Sequence, residues 1–469
     1  MKFTFNDVGL IDKTELKLAA LTIICGKNNT GKTYATYSIY GFCKQWKYFL
    51  REDLNKITKT ALEQSSGAQI DLIQIFLGKI NGLLNKASEK YSKNLHNIFA
   101  SEEEFFKESK FIAQLEKEPN NPDFEESFKR VYFKEILDGK EQPVATISKK
   151  ENSSILEILI INHEQQDLDL TSHITYAVEE IIFKRYFPDI FIASTERTGA
   201  AIFEKDLDFS QSRALKVIAQ QKDKSNKNTK FPFELQMLKG LFERGGSDYP
   251  EPVEDNVEFI RRIPNLAKES SQVLKDCPEI ISAFEEIVGG KYKLVKSLGI
   301  RFFPKKSAIK KGFSMVESSS AIRALLDINF YLKCSAEKGD ILIIDEPELN
   351  LHPANQRAFA RLIARLVNYG IKVFVTTHSD YIIQELNTLI MLNAKTDHTK
   401  KVQEKYKYKD DELLNYKKIK LFTTLQNKTS KTYQLKESKI TQEEGIEAET
   451  FDKNLDELNK IQQAIYYGF

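Results

Sequence analysis

The chain has 469 residues, 41% hydrophobic and 29% charged, enough for two or three ordinary domains or one large elaborated one with a sizeable core beneath a charged surface. Its 69 basic and 67 acidic side chains leave a net charge of +2, which argues neither for nor against nucleic acid and makes any basic patch a local matter. Cys25, Cys43, Cys277 and Cys334 stand far apart with no C-x-x-C pair, no signal-peptide pattern opens the chain, and no run reaches the ~18 apolar residues of a membrane span; these features point to a reducing cytoplasm and away from disulfide frameworks, zinc sites and membranes.

Residues 1–25 alternate polar and apolar positions and end in the apolar run Leu21-Thr22-Ile23-Ile24-Cys25, which predicts two strands, the second buried and leading into a glycine turn. That turn is Gly26-Lys27-Asn28-Asn29-Thr30-Gly31-Lys32-Thr33, matching G-x-x-x-x-G-K-[ST] at every fixed position. Such a loop wraps phosphates with backbone amides at a helix N-terminus; Lys32 would bridge the β- and γ-phosphates, and the Thr33 hydroxyl would ligate Mg²⁺. A helix follows from Lys32 to about Phe49.

Residues 50–135 read as helical stretches, such as Asp71 to Phe99, with a break at Pro119-Asn120-Asn121-Pro122. Strands follow within 143–170, then a helix from about Ile174 to Tyr186 and a buried strand, Ile190 to Ala193. Lys222 to Lys230 reads as a loop, and 231–288 as helical with breaks at Gly245-Gly246 and Pro250. Two short strands are expected at Tyr292–Leu298 and Ile300–Phe303, and a helix from about Ser319 to Cys334.

The apolar run Ile341 to Ile344 ends in Asp345-Glu346, two adjacent acids at the end of a buried strand. With a phosphate loop in the same chain they form a metal-and-water pair: Asp345 for Mg²⁺, Glu346 for polarising the attacking water, since one carboxylate cannot do both. The helix Pro353–Asn368 and the strand Lys372–Thr376 complete a strand–helix–strand unit of a parallel sheet. His378 comes 32 residues after Glu346, which puts it at the neighbouring strand's end, within reach of a γ-phosphate. His352 either joins this site or starts the helix. Residues 400–469 read as a Lys/Tyr-rich connector, a hairpin (Ile419 to Leu425, then Thr432 to Leu435) and a helix from Asp452 to Tyr466.

The segment Glu346-Pro347-Glu348-Leu349-Asn350-Leu351-His352-Pro353, with Thr377-His378-Ser379 downstream, resembles the OLD-like and SMC/RecF-like branch of ABC ATPases, as does the opening from Phe3 to Thr33. The resemblance covers about residues 1–45, 186–200 and 290–390. It implies an α/β fold, an ABC-type P-loop ATPase head with a mixed sheet, flanking helices and inserted arms. The family needs a signature that meets the ATP of a second head. L-S-G-G-Q is absent, but Ser318, Ser319 and Ser320 stand where this branch carries a serine-rich version; plain helix capping is the other reading. Ala193-Ser194-Thr195-Glu196-Arg197-Thr198-Gly199 resembles the branch's P-A-E-R-x-G stretch, so that Glu196 or Arg197 lines the nucleotide or couples it to an arm. No glutamine is assignable to the Q-loop and no aromatic to adenine stacking.

The chain then divides into head segments 1–49, 186–204 and 289–395, an inserted arm 50–185, a second insertion 205–288 and a C-terminal piece 396–469. The 91 residues after His378 hold no D-x-D of a TOPRIM nuclease, and no nuclease is expected. The resemblance extends to the ATPases of Septu, PARIS and retron-associated antiphage systems. It implies an ATP- and Mg²⁺-dependent subunit that pairs with itself as a head dimer or larger homo-oligomer, with a co-encoded effector, and with nucleic acid or a phage protein as further partners. A RecF/SMC-like DNA-repair ATPase is the alternative.

Overall fold

The computed structural model describes residues 1–64, 69–137, 141–161, 170–202, 249–305, 311–427, 430–446 and 460–466. The expected loop at 222–230, the Gly245-Gly246 break, the helix expected over 231–248 and the first half of the C-terminal helix lie outside them. The chain forms two compact units, Met1–Lys17 with Ser38–Leu95 and Phe106–Ile190, and Leu18–Tyr37 with His96–Phe105 and Phe191–Phe469.

The first unit holds two antiparallel sheets. Residues 1–25 supply three strands rather than two, because Thr14–Lys17 folds back on Lys2–Asn6. On the other side of Lys2–Asn6 lies Lys110–Gln114, a strand inside a region read as helical. Its alternation, with Phe111 and Ala113 buried, puts Phe111 against Phe3 and Phe5 at ring distances of 5.5 and 5.4 Å. The helix expected from Asp71 to Phe99 is instead a short strand, Gln69–Asp71, followed by the helices Leu72–Phe76, Ile80–Lys93 and Leu95–Ile98. The Pro119–Pro122 break is the start of a helix, Asn121–Phe128, whose N-cap is Asn120. The second sheet has the order Gln69–Asp71, Ile155–Ile160, Pro143–Lys149, Tyr132–Leu137.

The second unit is built on a six-stranded mixed sheet. Its order is Tyr433–Glu437, Ile419–Gln426, Leu21–Cys25, Lys372–Thr377, Ile341–Asp345, Ile190–Ala193. Ile419–Gln426, Leu21–Cys25, Lys372–Thr377 and Ile341–Asp345 pair parallel with one another in that order, and Tyr433–Glu437 pairs antiparallel with Ile419–Gln426 at one edge. Leu21–Cys25 and Ile341–Asp345 are buried along their whole length, which is why they read as unbroken apolar runs rather than alternating ones. Helices Pro353–Tyr369 and Asp380–Leu392 put Phe359, Ile363, Leu386 and Leu389 into the same core. No helix among the described residues is long and apolar enough to cross a membrane.

The helix expected from Ser319 to Cys334 is two, Ser320–Ala324 and Leu326–Cys334, broken at Leu325. One tertiary contact and one local contact cause the break. The Ala324 carbonyl accepts from Arg197 Nε at 2.8 Å, while the Ile328 amide, its partner in an unbroken helix, donates to Asp327 Oδ1 at 2.8 Å.

Candidate functional site

The register of the parallel strands brings the sequence-predicted residues together. Cys25 stands opposite Thr377, and Asp345 opposite Thr376, so the phosphate loop, the acidic pair and His378 leave three adjacent strands at one level of the sheet. Neighbouring strands lie ~4.8 Å apart, so these groups share one crevice at the carboxyl ends, where open α/β sheets bind ligands.

In the loop, Lys27, Asn28, Asn29 and Thr33 are exposed, while Gly26, Thr30, Gly31 and Lys32 are buried. Lys32 Nζ donates to the carbonyls of Gly26 at 3.0 Å and Lys27 at 2.9 Å, and Thr30 Oγ1 donates to Lys27 O at 2.7 Å. The strand Ile419–Gln426 supplies a group that motif reading missed. Thr424 Oγ1 donates to Thr30 Oγ1 at 2.9 Å, and a Cβ at Gly26 would sit 1.8 Å from Thr424 Oγ1. Glycine is required at Gly26 because a second strand's threonine occupies the space.

Asp345 is fully buried, and burial pushes its carboxyl up to about 6. Its Oδ1 accepts from Thr376 Oγ1, and its Oδ2 is buried with no hydrogen-bond partner among the described residues. An orphaned carboxylate oxygen beside a phosphate loop fits a hydrated Mg²⁺. Glu346 follows at φ 51°, a left-handed conformation unusual for glutamate. Its amide donates to the Thr376 carbonyl at 3.1 Å and lies 3.2 Å from Thr376 Oγ1.

His378 Nδ1 lies 3.5 Å from Glu346 Oε1 and 3.2 Å from Glu348 Oε1. The approach of Glu346 raises the imidazole pKa, and the histidine lowers that of Glu346, so the pair favours the ionised carboxylate. Glu348, buried and without an assigned role in the motif, accepts from Thr377 Oγ1 at 2.9 Å and from the His378 amide at 2.7 Å, and so fixes where the histidine leaves its strand.

Arg197 is fully buried and joins these parts. Its guanidinium donates to the carbonyls of Ala324 (2.8 Å), Ser194 (2.6 Å), Asp345 (2.7 Å) and Glu346 (2.8 Å), with Ala193 O at 3.4 Å. Burial lowers its pKa, and the carboxyls of Asp327, Asp345, Glu348 and Glu346 oppose that shift with a negative field. Arg197 thus packs against the backbone of the acidic pair. Glu196 accepts from the Tyr37 hydroxyl at 3.0 Å, a residue of the phosphate-loop helix. Of the serine run, Ser318 turns inward and donates to the Ser314 carbonyl at 2.7 Å, while Ser319, the N-cap residue of Ser320–Ala324, is exposed and Ser320 is half-buried. His352 is the N-cap of Pro353–Tyr369, its Nδ1 accepting from the Ala354 amide at 3.2 Å, which is the helix-starting alternative.

A family described as "AAA ATPase domain" matches residues 8–383. No curated protein matches the chain. Among solved structures the chain is similar to an Smc head bound to the C-winged helix domain of ScpA, at 12% identity over 93% of this chain and 96% of that one, with a TM-score of 0.34. It is also similar to the SMC head domain from Thermotoga maritima (9% identity, 94% and 98% covered, TM-score 0.29). A third is the Smc head domain with an extended coiled coil bound to the C-terminal domain of ScpA derived from Pyrococcus furiosus (13% identity, 98% of each chain, TM-score 0.32).

Proposed function

The chain belongs to the AAA ATPase domain family, and we propose that it hydrolyses ATP at this crevice as the ATPase subunit of a bacterial antiphage defence complex, controlling a separate effector nuclease or toxin. The observation that carries the catalytic part is the Asp345–Glu346 strand end. One acid has an orphaned oxygen, and the next is held in a left-handed turn by Thr376 and Arg197. The motif resemblance at Glu346–Pro353 carries the defence part.

In this reading the triphosphate takes the loop amides of Gly26 to Thr33, and Lys32 exchanges its two loop carbonyls for phosphate oxygens. Thr33 and Asp345 would hold Mg²⁺, which neutralises phosphate charge when bound. Glu346, kept ionised by His378, orients the attacking water and takes its proton, and His378 meets the γ-phosphate. Ser319 and Ser320 reach the ATP of a second head, and Ser318 holds their turn in place.

The test is a pair of variants in cells that carry the neighbouring genes. Lys32→Ala removes ATP binding, whereas Glu346→Gln keeps ATP bound and lowers turnover by about 10²–10⁴-fold. Both variants abolish protection against phage, and toxicity or cleavage requires the co-encoded polypeptide. Wild-type turnover by E346Q would overturn the catalytic assignment. Protection intact in both variants would overturn the defence role, and turnover stimulated by duplex DNA with no effector at all would place the chain among repair ATPases.

A further inference from the structure

The stretch Ile287–Val316 carries eight Lys and Arg residues and no Asp or Glu, in a chain whose charges otherwise nearly cancel. Within it, Gly290–Val295, Gly299–Pro304 and Phe313–Ser314 form a three-stranded antiparallel sheet in the second unit. Tyr292 and Phe302 lie on its inner face, buried with ring centroids 5.2 Å apart. The alternation places Lys291, Lys293, Arg301 and Phe303 on the other face. The register sets Lys293 directly opposite Arg301.

Two cations facing each other across an antiparallel pair repel, a cost the fold has no need of. Edge lysines alone are a common guard against strand-to-strand aggregation, but Arg301 stands on the central strand. Lys291 and Arg301 have carboxylate neighbours, Glu285 at 3.0 Å and Glu317 at 3.7 Å. Lys293, Lys296 and Lys311 are exposed and make no ion pair among the described residues. Lys293 Nζ lies 5.2 Å from the Phe303 ring centre. Exposed, unpaired cations beside an aromatic ring match a chain of phosphates carrying flat bases.

The inner face of this sheet is tied to the serine helix. The Tyr292 hydroxyl donates to the Ile322 carbonyl, Ser318 Oγ donates to Ser314 O, and the helix's Ala324 carbonyl accepts from Arg197. We propose that the outer face of Gly290–Pro304 binds the phosphate backbone of nucleic acid, next to the serine run that addresses the second head.

Fluorescence anisotropy of the full chain with labelled 30-nucleotide single strands and 30-base-pair duplexes, without nucleotide and across a salt series, tests this independently of the ATPase reading. The wild type binds at least one of the two, and its affinity falls as salt rises. Lys293→Glu with Lys296→Glu lowers affinity by about tenfold or more and flattens the salt slope by roughly 1.5. Lys400→Glu with Lys401→Glu, an equal charge change on the exposed helix Asp397–Tyr406, leaves affinity within about threefold. Unchanged melting temperature and ATP binding show that K293E/K296E is folded; should it fail, the milder K293A/K296A pair replaces it, with a smaller loss expected. No binding by the wild type at low salt, equal losses in both charge-reversed pairs, or poly-glutamate binding as tightly as DNA of the same charge would overturn the proposal.

Discussion

At the scale of single residues, Arg197 has the widest reach. Its guanidinium donors go to carbonyls of three segments, including those of both Asp345 and Glu346, so the left-handed Glu346 is held from behind. Lysine is no substitute, since three donors on a point charge cannot span carbonyls that a planar fork reaches together. Each carbonyl left unpaired costs about 1–3 kcal/mol. Arg197→Lys is therefore expected to lower kcat by about tenfold or more while KM for ATP changes little, because the phosphate loop is untouched. Steady-state kinetics checks it: an equal loss in affinity and turnover would mean that Arg197 only supports the fold. Asp327, whose carboxyl burial pushes up to about 6, faces the same guanidinium field. Its Oδ1 accepts from the Ile328 amide and its Oδ2 has no hydrogen-bond partner among the described residues, so Arg197 acts on this carboxyl through its field and not through a hydrogen bond.

At the scale of elements, the C-terminal hairpin borders the phosphate loop. Ile419–Gln426 pairs parallel with the phosphate-loop strand, and Thr423 stands opposite Cys25, its Oγ1 3.4 Å from Cys25 Sγ. Thr424 is level with Gly26 and donates to Thr30, which in turn donates to the Lys27 carbonyl. Ile419, Leu421 and Phe422 anchor the strand in buried positions, each worth about 1.5–3 kcal/mol, so the threonine is presented by a rigid element. Thr424→Val keeps the shape and removes one hydrogen bond, worth about 1 kcal/mol. ATP affinity should fall about fivefold, and Thr424→Ser should restore it. Titration with a fluorescent ATP analogue decides: equal affinity in T424V and wild type would reduce Thr424 to a packing residue.

At the scale of the molecule, the exposed Ser319 and the inward Ser318 fit a turn built to present a helix start to something outside the chain. If that is the ATP of a second head, Lys32→Ala and Ser319→Arg damage different halves of a shared site. Each variant alone is inactive, yet a heterodimer of the two keeps one site with an intact Lys32 and an intact Ser319 across from it. A mixture should regain roughly a quarter of wild-type turnover, since random pairing makes half the dimers mixed and each mixed dimer has one good site of two, with sites acting independently. Silence of the mixture despite demonstrated subunit exchange would exclude sites made from two chains.

The phosphate loop, the acidic strand end and the histidine were legible in the sequence because each is a contiguous run. A buried strand followed at once by the chemical group it presents leaves its mark in neighbouring residues. The parallel pairing of Ile341–Asp345 with Lys372–Thr377 followed from the strand–helix–strand spacing for the same reason. Contacts between residues far apart in the chain left no such mark. That Lys110–Gln114 would pair with Lys2–Asn6, that Arg197 would span the backbone of Asp345, Glu346 and Ala324, and that Thr424 would fill the space above Gly26 all depend on which surfaces meet once apolar area is buried. A glycine required by a threonine 398 residues away reads in the sequence as any other loop glycine. Local runs therefore determined which chemical groups stand at the ends of these strands. The tertiary structure decided which side chains hold those groups in place, because side-chain hydrogen bonds and burial act through space without regard to distance along the chain.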